Sequence, residues 1–161
     1  MLNTDHSLTY SHQWRRLITL TVAHFVVDMF PGMMHTVLPA FQKSFELSVT
    51  SGAVLLTIFL IASNAIQVVI GHMRAQKENP LFLYAGMVLV CAILLFGLVS
   101  KDAQPLFWLS VISLAAGAGV GMSHPEALRA VHRLEKITPA VSSSVFMGGG
   151  VFGFAVRYEF R

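Results

Sequence analysis

Long hydrophobic runs alternate with short polar gaps along the chain. The runs cover about residues 17–41, 52–71, 81–99, 105–122 and 141–156. A helix needs roughly 20 apolar residues to cross the roughly 30 Å hydrocarbon core of a bilayer, and the first four runs reach or approach that length. The pattern predicts an all-α membrane protein with about five transmembrane helices. It divides the chain into a polar tail at 1–16, a helical bundle at 17–156 and a short tail at 157–161.

The composition supports a bilayer rather than water as the main solvent. Of the 161 residues 55% are hydrophobic and 12% are charged, with a mean hydropathy of +0.66. A soluble domain usually carries about 25% charged residues, so this chain has too few to coat a water-exposed surface. Cys91 is the single cysteine and cannot form an internal disulfide, which leaves it as a small hydrophobic side chain.

Basic residues are concentrated in alternate gaps between the hydrophobic segments. Three gaps hold seven of them: Arg15, Arg16, Arg74, Lys77, Arg129, Arg133 and Lys136. The other two gaps hold only Lys43 and Lys101. Because positive residues favour the cytoplasmic side, the N-terminus and the loop at 123–140 are predicted to be cytoplasmic. The basic residues do not form a basic face, so the net charge of +3 does not indicate nucleic-acid binding.

The first segment carries an imidazole and a carboxylate within its apolar sequence. His24, Asp28, Gly32 and His35 are spaced so that they lie along one helical face. A carboxylate in the bilayer centre costs roughly 2.5–3.5 kcal/mol on insertion scales, so such residues face a protein interior or a watery path. Two interpretations stay open: a substrate- or proton-handling face, or an Asp28 that only hydrogen-bonds to a neighbouring helix. Metal binding is disfavoured, because two ligands are too few and no third is specified.

The other segments differ in their polarity. Thr57, Asn64, Gln67 and Gly71 share one face of the second segment, which adds Asn64 and Gln67 to the predicted path. The third segment is apolar all round and is predicted to face lipid.

Small residues favour close helix packing in the last two segments. Gly117 and Gly121 form a small-xxx-small pair in the fourth segment, and the sequence SSSVFMGGGVFG opens the fifth. These glycines serve either packing within the chain or association with another chain.

The stretch SHPEALRAVHR, residues 123–133, forms a second polar constellation. Pro125 suits the first turn of a helix, with His124 or Ser123 near its N-cap. Glu126 and Arg129 are spaced i,i+3. The stretch is either a short polar helix or helix extension, or a solvated charged loop that sets the topology. No catalytic set and no phosphate loop is present in the sequence, so neither an enzyme nor a cofactor is predicted.

Four stretches together resemble the N-terminal part of the fosmidomycin-resistance family of the major facilitator superfamily. They are TVAHFVVDMFPGMMHTVLPAFQKSFELS, LLTIFLIASNAIQVVIGHM, GAGVGMSHPEALRAVHR and SSSVFMGGGVFGFA, and the resemblance runs from about residue 17 to 156. It implies part of a six-helix half of a twelve-helix transporter. The implied activity is proton-driven export of drugs or other small molecules through the bacterial cytoplasmic (inner) membrane. His24 and Asp28 would line the path, and His124, Glu126 and Arg129 would lie at its cytoplasmic mouth.

The sequence departs from the family pattern at two places. Ala75 stands where an Asp is expected after Gly71, in a loop that helps to lock the conformational change. Residues 157–161 resemble an aberrant tail, so the chain is interpreted as an N-terminal fragment that does not transport by itself. The alternative is a small membrane protein that acts by helix association with a separately encoded half or another partner.

Overall fold

The computed structural model describes residues 9–74 and 80–156, and every regular element within these ranges is helical. The helices are α1 (Tyr10–Ser44), α2 (Val49–Met73), α3 (Leu81–Val90), α4 (Pro105–His132) and α5 (Pro139–Ala155), and α3 continues as a 3₁₀ helix over Cys91–Leu98. Four are long and apolar enough to cross a membrane, counting α3 with its extension, and α5 is a shorter apolar helix. The predicted all-α membrane class is therefore confirmed, and the arrangement is consistent with part of a major facilitator half.

Helix α1 extends beyond the hydrophobic segment that predicted it. Helix α1 begins at Tyr10 rather than near residue 17, so residues 10–16 are helical. The Gln13 side chain is buried there and accepts a hydrogen bond from the backbone N–H of Lys136 at 2.8 Å. This contact ties the first turn of α1 to the α4–α5 loop, which explains why a polar sequence is ordered.

The prediction that Pro125 lies in the first turn of a separate helix is wrong. Helix α4 runs without interruption to His132 and contains Pro125 in its interior. Ser123 and His124 are therefore helical residues rather than caps. Of the open interpretations of residues 123–133, the structure supports the helix extension. Proline in a helix interior removes one backbone hydrogen bond, so here the packing of α4 overrides the local preference.

The 3₁₀ extension lengthens the third span. Ten α-helical and eight 3₁₀ residues rise about 31 Å together, against about 27 Å for a continuous α-helix of eighteen residues. The 3₁₀ geometry thus lets a short segment reach the roughly 30 Å thickness of the hydrocarbon core. Val88, Leu94 and Leu98 are exposed along this span, while Val90 and Phe96 are buried. One face therefore packs against the bundle and the opposite face suits lipid.

The long helices pack in two parallel pairs. Gly149 lies against Thr21 and Gly153 against Phe25, so residue numbers increase together along α1 and α5. Helices α2 and α4 are parallel in the same way, because Gly117 approaches the Phe59 carbonyl, Gly121 the Ser63 carbonyl, and Pro125 lies beside Gly71. Helix α3 runs antiparallel to α4, with Gly86 near Ser123 and Gly119 near Val90.

Every glycine of α4 and α5 except Gly148 lies against another helix of the chain. Gly117 and Gly121 face α2, and Gly149, Gly150 and Gly153 face α1. The packing interpretation of these residues is thereby supported. The same surfaces are not free for the alternative, association with another chain.

Buried apolar side chains form two clusters at different heights of the bundle. The large apolar cluster contains Val27, Phe30, Met34, Leu38, Leu55, Phe59, Val90, Ile93, Phe96, Leu109, Ile112, Ala116 and Val120. The small apolar cluster contains Leu17, Leu83, Ala127, Val131, Leu134, Ile137 and Phe146. His24 on α1 and His124 on α4 both fall, by position along their helices, between residues of the two clusters. A polar layer therefore lies between two apolar ones.

Candidate functional site

Three ionisable side chains from two helices meet in this polar layer. His24 and Asp28 come from α1, one helical turn apart, and His124 comes from α4. We call these residues the polar triad. The His24 Nε2 atom lies 3.2 Å from Asp28 Oδ2, and the His124 Nε2 atom lies 3.0 Å from Asp28 Oδ1. The two Nε2 atoms are 3.2 Å apart. Each member of the triad thus contacts both of the others.

The partners of the two Nδ1 atoms determine the histidine tautomers. His24 Nδ1 lies 2.9 Å from the Phe146 carbonyl oxygen, and His124 Nδ1 lies 2.9 Å from the Val120 carbonyl oxygen. A carbonyl oxygen can only accept a hydrogen bond, so each Nδ1 carries a hydrogen and donates it. In a neutral imidazole the Nε2 atom is then a bare acceptor. With two such nitrogens beside a carboxylate, the centre of the triad is lined by acceptors only. The centre therefore favours a positively charged occupant.

The triad is partly accessible. The side chain of His24 is 4% exposed, whereas those of Asp28 and His124 are 19% and 21% exposed. The His24 ring stacks on Phe146 with the ring centroids 4.1 Å apart. One side of the triad is therefore sealed by α5, and the other side is open.

Gly150 allows α5 to approach the triad closely. A Cβ atom built on Gly150 would lie 2.5 Å from Asp28 Oδ2 and from His24 Cε1. These distances are far shorter than ordinary van der Waals contact. Glycine at this position therefore leaves the space that the imidazole and the carboxylate occupy.

The open side of the triad faces a cleft of about 460 Å³. His24 and His124 line it, together with Asn64 and Gln67 of α2. Four of the residues predicted from the sequence thus share one cleft. Asn64 and Gln67 are exposed on the surface of α2, and Asn64 Nδ2 donates to the Leu60 carbonyl oxygen at 2.8 Å. The polar face predicted for the second segment borders this cleft.

His35 lies apart from the polar triad, although it was predicted on the same face of α1. Its ring is exposed, its Nδ1 donates to the Pro31 carbonyl oxygen at 2.8 Å, and its ring edge faces Phe154. Eleven residues of α-helix separate it from His24, which corresponds to about 16 Å. A shared helical face does not bring it to the triad.

Glu126 and Arg129 form a second site with Arg74, the residue that follows the end of α2. Arg74 Nε donates to Glu126 Oε1 at 2.9 Å, and Arg129 Nη1 donates to the same oxygen at 3.1 Å. The Arg74 guanidinium also lies 5.0 Å from the centre of the Phe82 ring. The Glu126 side chain is 5% exposed, so its charge is compensated inside the bundle. The residues predicted for one cytoplasmic motif are thus divided, with His124 in the triad and Glu126 and Arg129 in this ion pair.

Sequence reasoning missed the roles of Arg74 and Phe146. Arg74 was counted only among the basic residues that set topology, yet its side chain is buried. The sequence gives little indication of this role, because Arg74 reaches Glu126 only through the packing of α2 against α4. Phe146 lies inside the glycine-rich stretch, and its neighbouring glycines indicate close packing without indicating the partner.

Metal binding was disfavoured from the sequence because His24 and Asp28 are only two ligands, and the structure adds a third. His124 is a third potential ligand beside His24 and Asp28. It could not be identified from i,i+4 spacing because it comes from another helix.

Some sequence predictions fall outside the described residues. Ala75 and Lys77 lie in the gap at 75–79, and the predicted tail at 157–161 follows the last described residue.

Comparison with known proteins gives one informative similarity. Over 135 residues, 83% of this chain, the sequence is 26% identical to the fosmidomycin resistance protein of Escherichia coli (strain K12). The matched region is 32% of that protein, so the chain spans about a third of the length of this curated relative. No protein-family model and no solved structure matches the chain. Together with the four candidate spans, the similarity supports a multi-pass, transporter-like membrane protein.

Proposed function

We propose that this chain forms one wall of a proton-driven exporter of small molecules, and that the polar triad lies on its transport path. The observation that carries the proposal is the convergence of His24, Asp28 and His124 between two apolar clusters, beside a cleft that both histidines line. Ionisable groups inside a membrane bundle are costly, and they mark ion or substrate paths.

The hydrogen-bond partners of the triad support a proton as the driving ion. With both Nδ1 hydrogens donated to carbonyl oxygens, one more proton at the centre provides a donor for contacts that otherwise join acceptors only. A group that accepts and releases a proton at this position can couple transport to a gradient.

The exposed amides of α2 indicate that another group of helices covers the open side of the cleft. Asn64 and Gln67 border the cleft but are exposed, and a polar amide that faces hydrocarbon is costly unless all its donors and acceptors are paired. A second group of helices opposite this face would enclose the cleft, as alternating access between two halves requires. The proposal therefore includes a second helical half, and the chain alone is expected not to transport.

We infer a cytoplasmic N-terminus in the bacterial inner membrane. The exposed Arg15 and Arg16 lie near the start of α1, and Gln13 beside them contacts Lys136 of the α4–α5 loop. Basic residues of two predicted cytoplasmic gaps therefore lie at the same end of the bundle, as the positive-inside rule requires. Cysteine-accessibility labelling of loop residues in intact cells tests this orientation.

A chimera tests the transport proposal. Residues 9–156 replace the matching third of the Escherichia coli fosmidomycin resistance protein, and growth on fosmidomycin is measured in a sensitive strain. We expect the chimera to restore growth, the Asp28→Asn chimera to lose it, and the matched His35→Gln chimera to keep it. If the Asp28→Asn chimera grows as well as the chimera that keeps Asp28, the role of Asp28 in transport is refuted.

A vesicle assay tests the need for a second half. The chain alone is reconstituted with a proton gradient, and uptake of fosmidomycin is compared with empty vesicles. We expect no difference between the two. Gradient-dependent flux by the chain alone would contradict the proposed second half.

A further inference from the structure

We propose that the polar triad is also a binding site for a divalent transition-metal ion, with Zn²⁺ as the best fit. The inference does not depend on transport. It starts from the positions of three donor atoms, one each from His24, Asp28 and His124, which lie within 4.8 Å of one another. Imidazole nitrogen and carboxylate oxygen are donors that Zn²⁺ and related ions prefer.

The distances between the donors match a tetrahedral site. Ligands bound at about 2.0–2.1 Å to a tetrahedral metal are about 3.3 Å apart. In the triad the two Nε2 atoms are 3.2 Å apart, His24 Nε2 lies 3.2 Å from Asp28 Oδ2, and His124 Nε2 lies 3.0 Å from the other oxygen, Asp28 Oδ1. An ion between the three donors would be held either by both Asp28 oxygens or by one of them after rotation of the carboxylate.

The surroundings of the histidines provide a second, independent observation. Metal-binding histidines almost always donate their other ring N–H to a carbonyl oxygen or a carboxylate, which fixes the tautomer and the ring orientation. His24 donates in this way to the Phe146 carbonyl oxygen and His124 to the Val120 carbonyl oxygen, both at 2.9 Å. Both Nε2 atoms then carry a free lone pair, and each lies within 3.2 Å of an oxygen of the third donor, Asp28.

The fourth coordination position would face the cleft. His24 and His124 both line the cleft of about 460 Å³, which gives the ion an entry path and leaves room for water or a small-molecule donor. Structural zinc sites have four protein ligands, whereas sites with three protein ligands leave the fourth position to water or a substrate. His72 also borders the cleft but is not one of the three grouped donors, which makes it a stringent control.

The experiment measures metal binding by the full chain, purified in detergent without a histidine tag. Co²⁺ replaces Zn²⁺ as a probe because four-coordinate Co²⁺ has visible absorption bands that hydrated Co²⁺ lacks, and Zn²⁺ is then added to displace it. We expect one Co²⁺ per chain. Asp28→Asn and His124→Gln should each lower the affinity by about 100-fold or more, because loss of a direct ligand costs more than loss of an outer-shell partner, which costs about 10–100-fold. His35→Gln and His72→Gln should bind like the parent chain.

Thermal stability provides a second readout. An ion that binds only the folded chain raises its melting temperature, so Zn²⁺ should stabilise the parent and both control variants but not the Asp28→Asn variant. If the parent chain shows neither saturable Co²⁺ binding nor a Zn²⁺-dependent shift, the proposal is overturned, whether or not the variants fold. Equal binding by Asp28→Asn, His124→Gln and the parent would also overturn it. Metal binding without export by the chimera would leave the metal site standing and reject the transport proposal.

Discussion

Replacing Gly150 by alanine tests whether close approach of α5 positions the polar triad. The added Cβ atom would lie 2.5 Å from Asp28 Oδ2 and from His24 Cε1, so at least one of these groups must move. Gly148 is the matched control, because a Cβ atom added there meets no heavy atom within 4 Å. Both glycines are in α5, and alanine improves helix propensity at either position by about 1 kcal/mol.

The difference between the two variants isolates the steric effect. Overpacking of a buried site costs about 1–3 kcal/mol, and the propensity gain cancels when the two variants are compared. Gly148→Ala should therefore be more stable than the parent chain. Gly150→Ala should be less stable than Gly148→Ala by about 1–3 kcal/mol, or about 2–12 °C in melting temperature for a chain of this size.

The assay is thermal unfolding of the purified chains in one detergent, followed by intrinsic tryptophan fluorescence. Gly150→Ala should also weaken Co²⁺ binding at the triad, whereas Gly148→Ala should not. Equal melting temperatures for the two variants would refute the close approach of α5 to His24 and Asp28. A large loss of stability in Gly148→Ala would refute the open environment assigned to that residue.

Two further substitutions test the interior of the bundle. Glu126→Gln removes the charge that pairs with two arginines, and we expect a loss of about 3–5 kcal/mol in stability. The exposed Glu46→Gln serves as the control, and similar melting temperatures for the two variants would contradict the buried ion pair. Phe146→Ala removes a ring that is 1% exposed and stacked on His24, and we expect a loss of about 3 kcal/mol. Phe152→Ala, at a position 73% exposed, should have little effect, and equal losses would argue against the stacked position of Phe146.

The number and approximate position of the helices follow from the hydrophobic pattern, because a bilayer imposes both length and composition on each span. The ends of the helices follow less well. Helix α1 starts early because Gln13 finds a backbone partner more than a hundred residues away, and no local signal encodes that contact. Helix α4 continues through Pro125 because its packing against α2 outweighs one lost hydrogen bond.

The candidate site was only half predictable for a related reason. The spacing of His24 and Asp28 shows that they share a face, since both lie on one helix. The same argument included His35, which lies too far along α1 to reach the triad. Membership of His124 depends on which helices are neighbours and on their relative rotation. Sequence spacing carries no information on either quantity between separate helices.

The polar triad joins the two helix pairs by directional contacts. His24 and Asp28 belong to the α1–α5 pair, and His124 belongs to the α2–α4 pair. The apolar clusters also connect the pairs, but apolar contact is non-directional and tolerates small displacements. When the centre of the triad holds a proton, the 3.0 Å contact between Asp28 and His124 can be a hydrogen bond, and a displacement of about 1 Å would take it beyond hydrogen-bonding range. A proton or metal ion at the centre of the triad would bind most tightly when the two pairs are in the observed position. Because binding and conformation are linked reciprocally, movement of one pair against the other would weaken the hold on that ion.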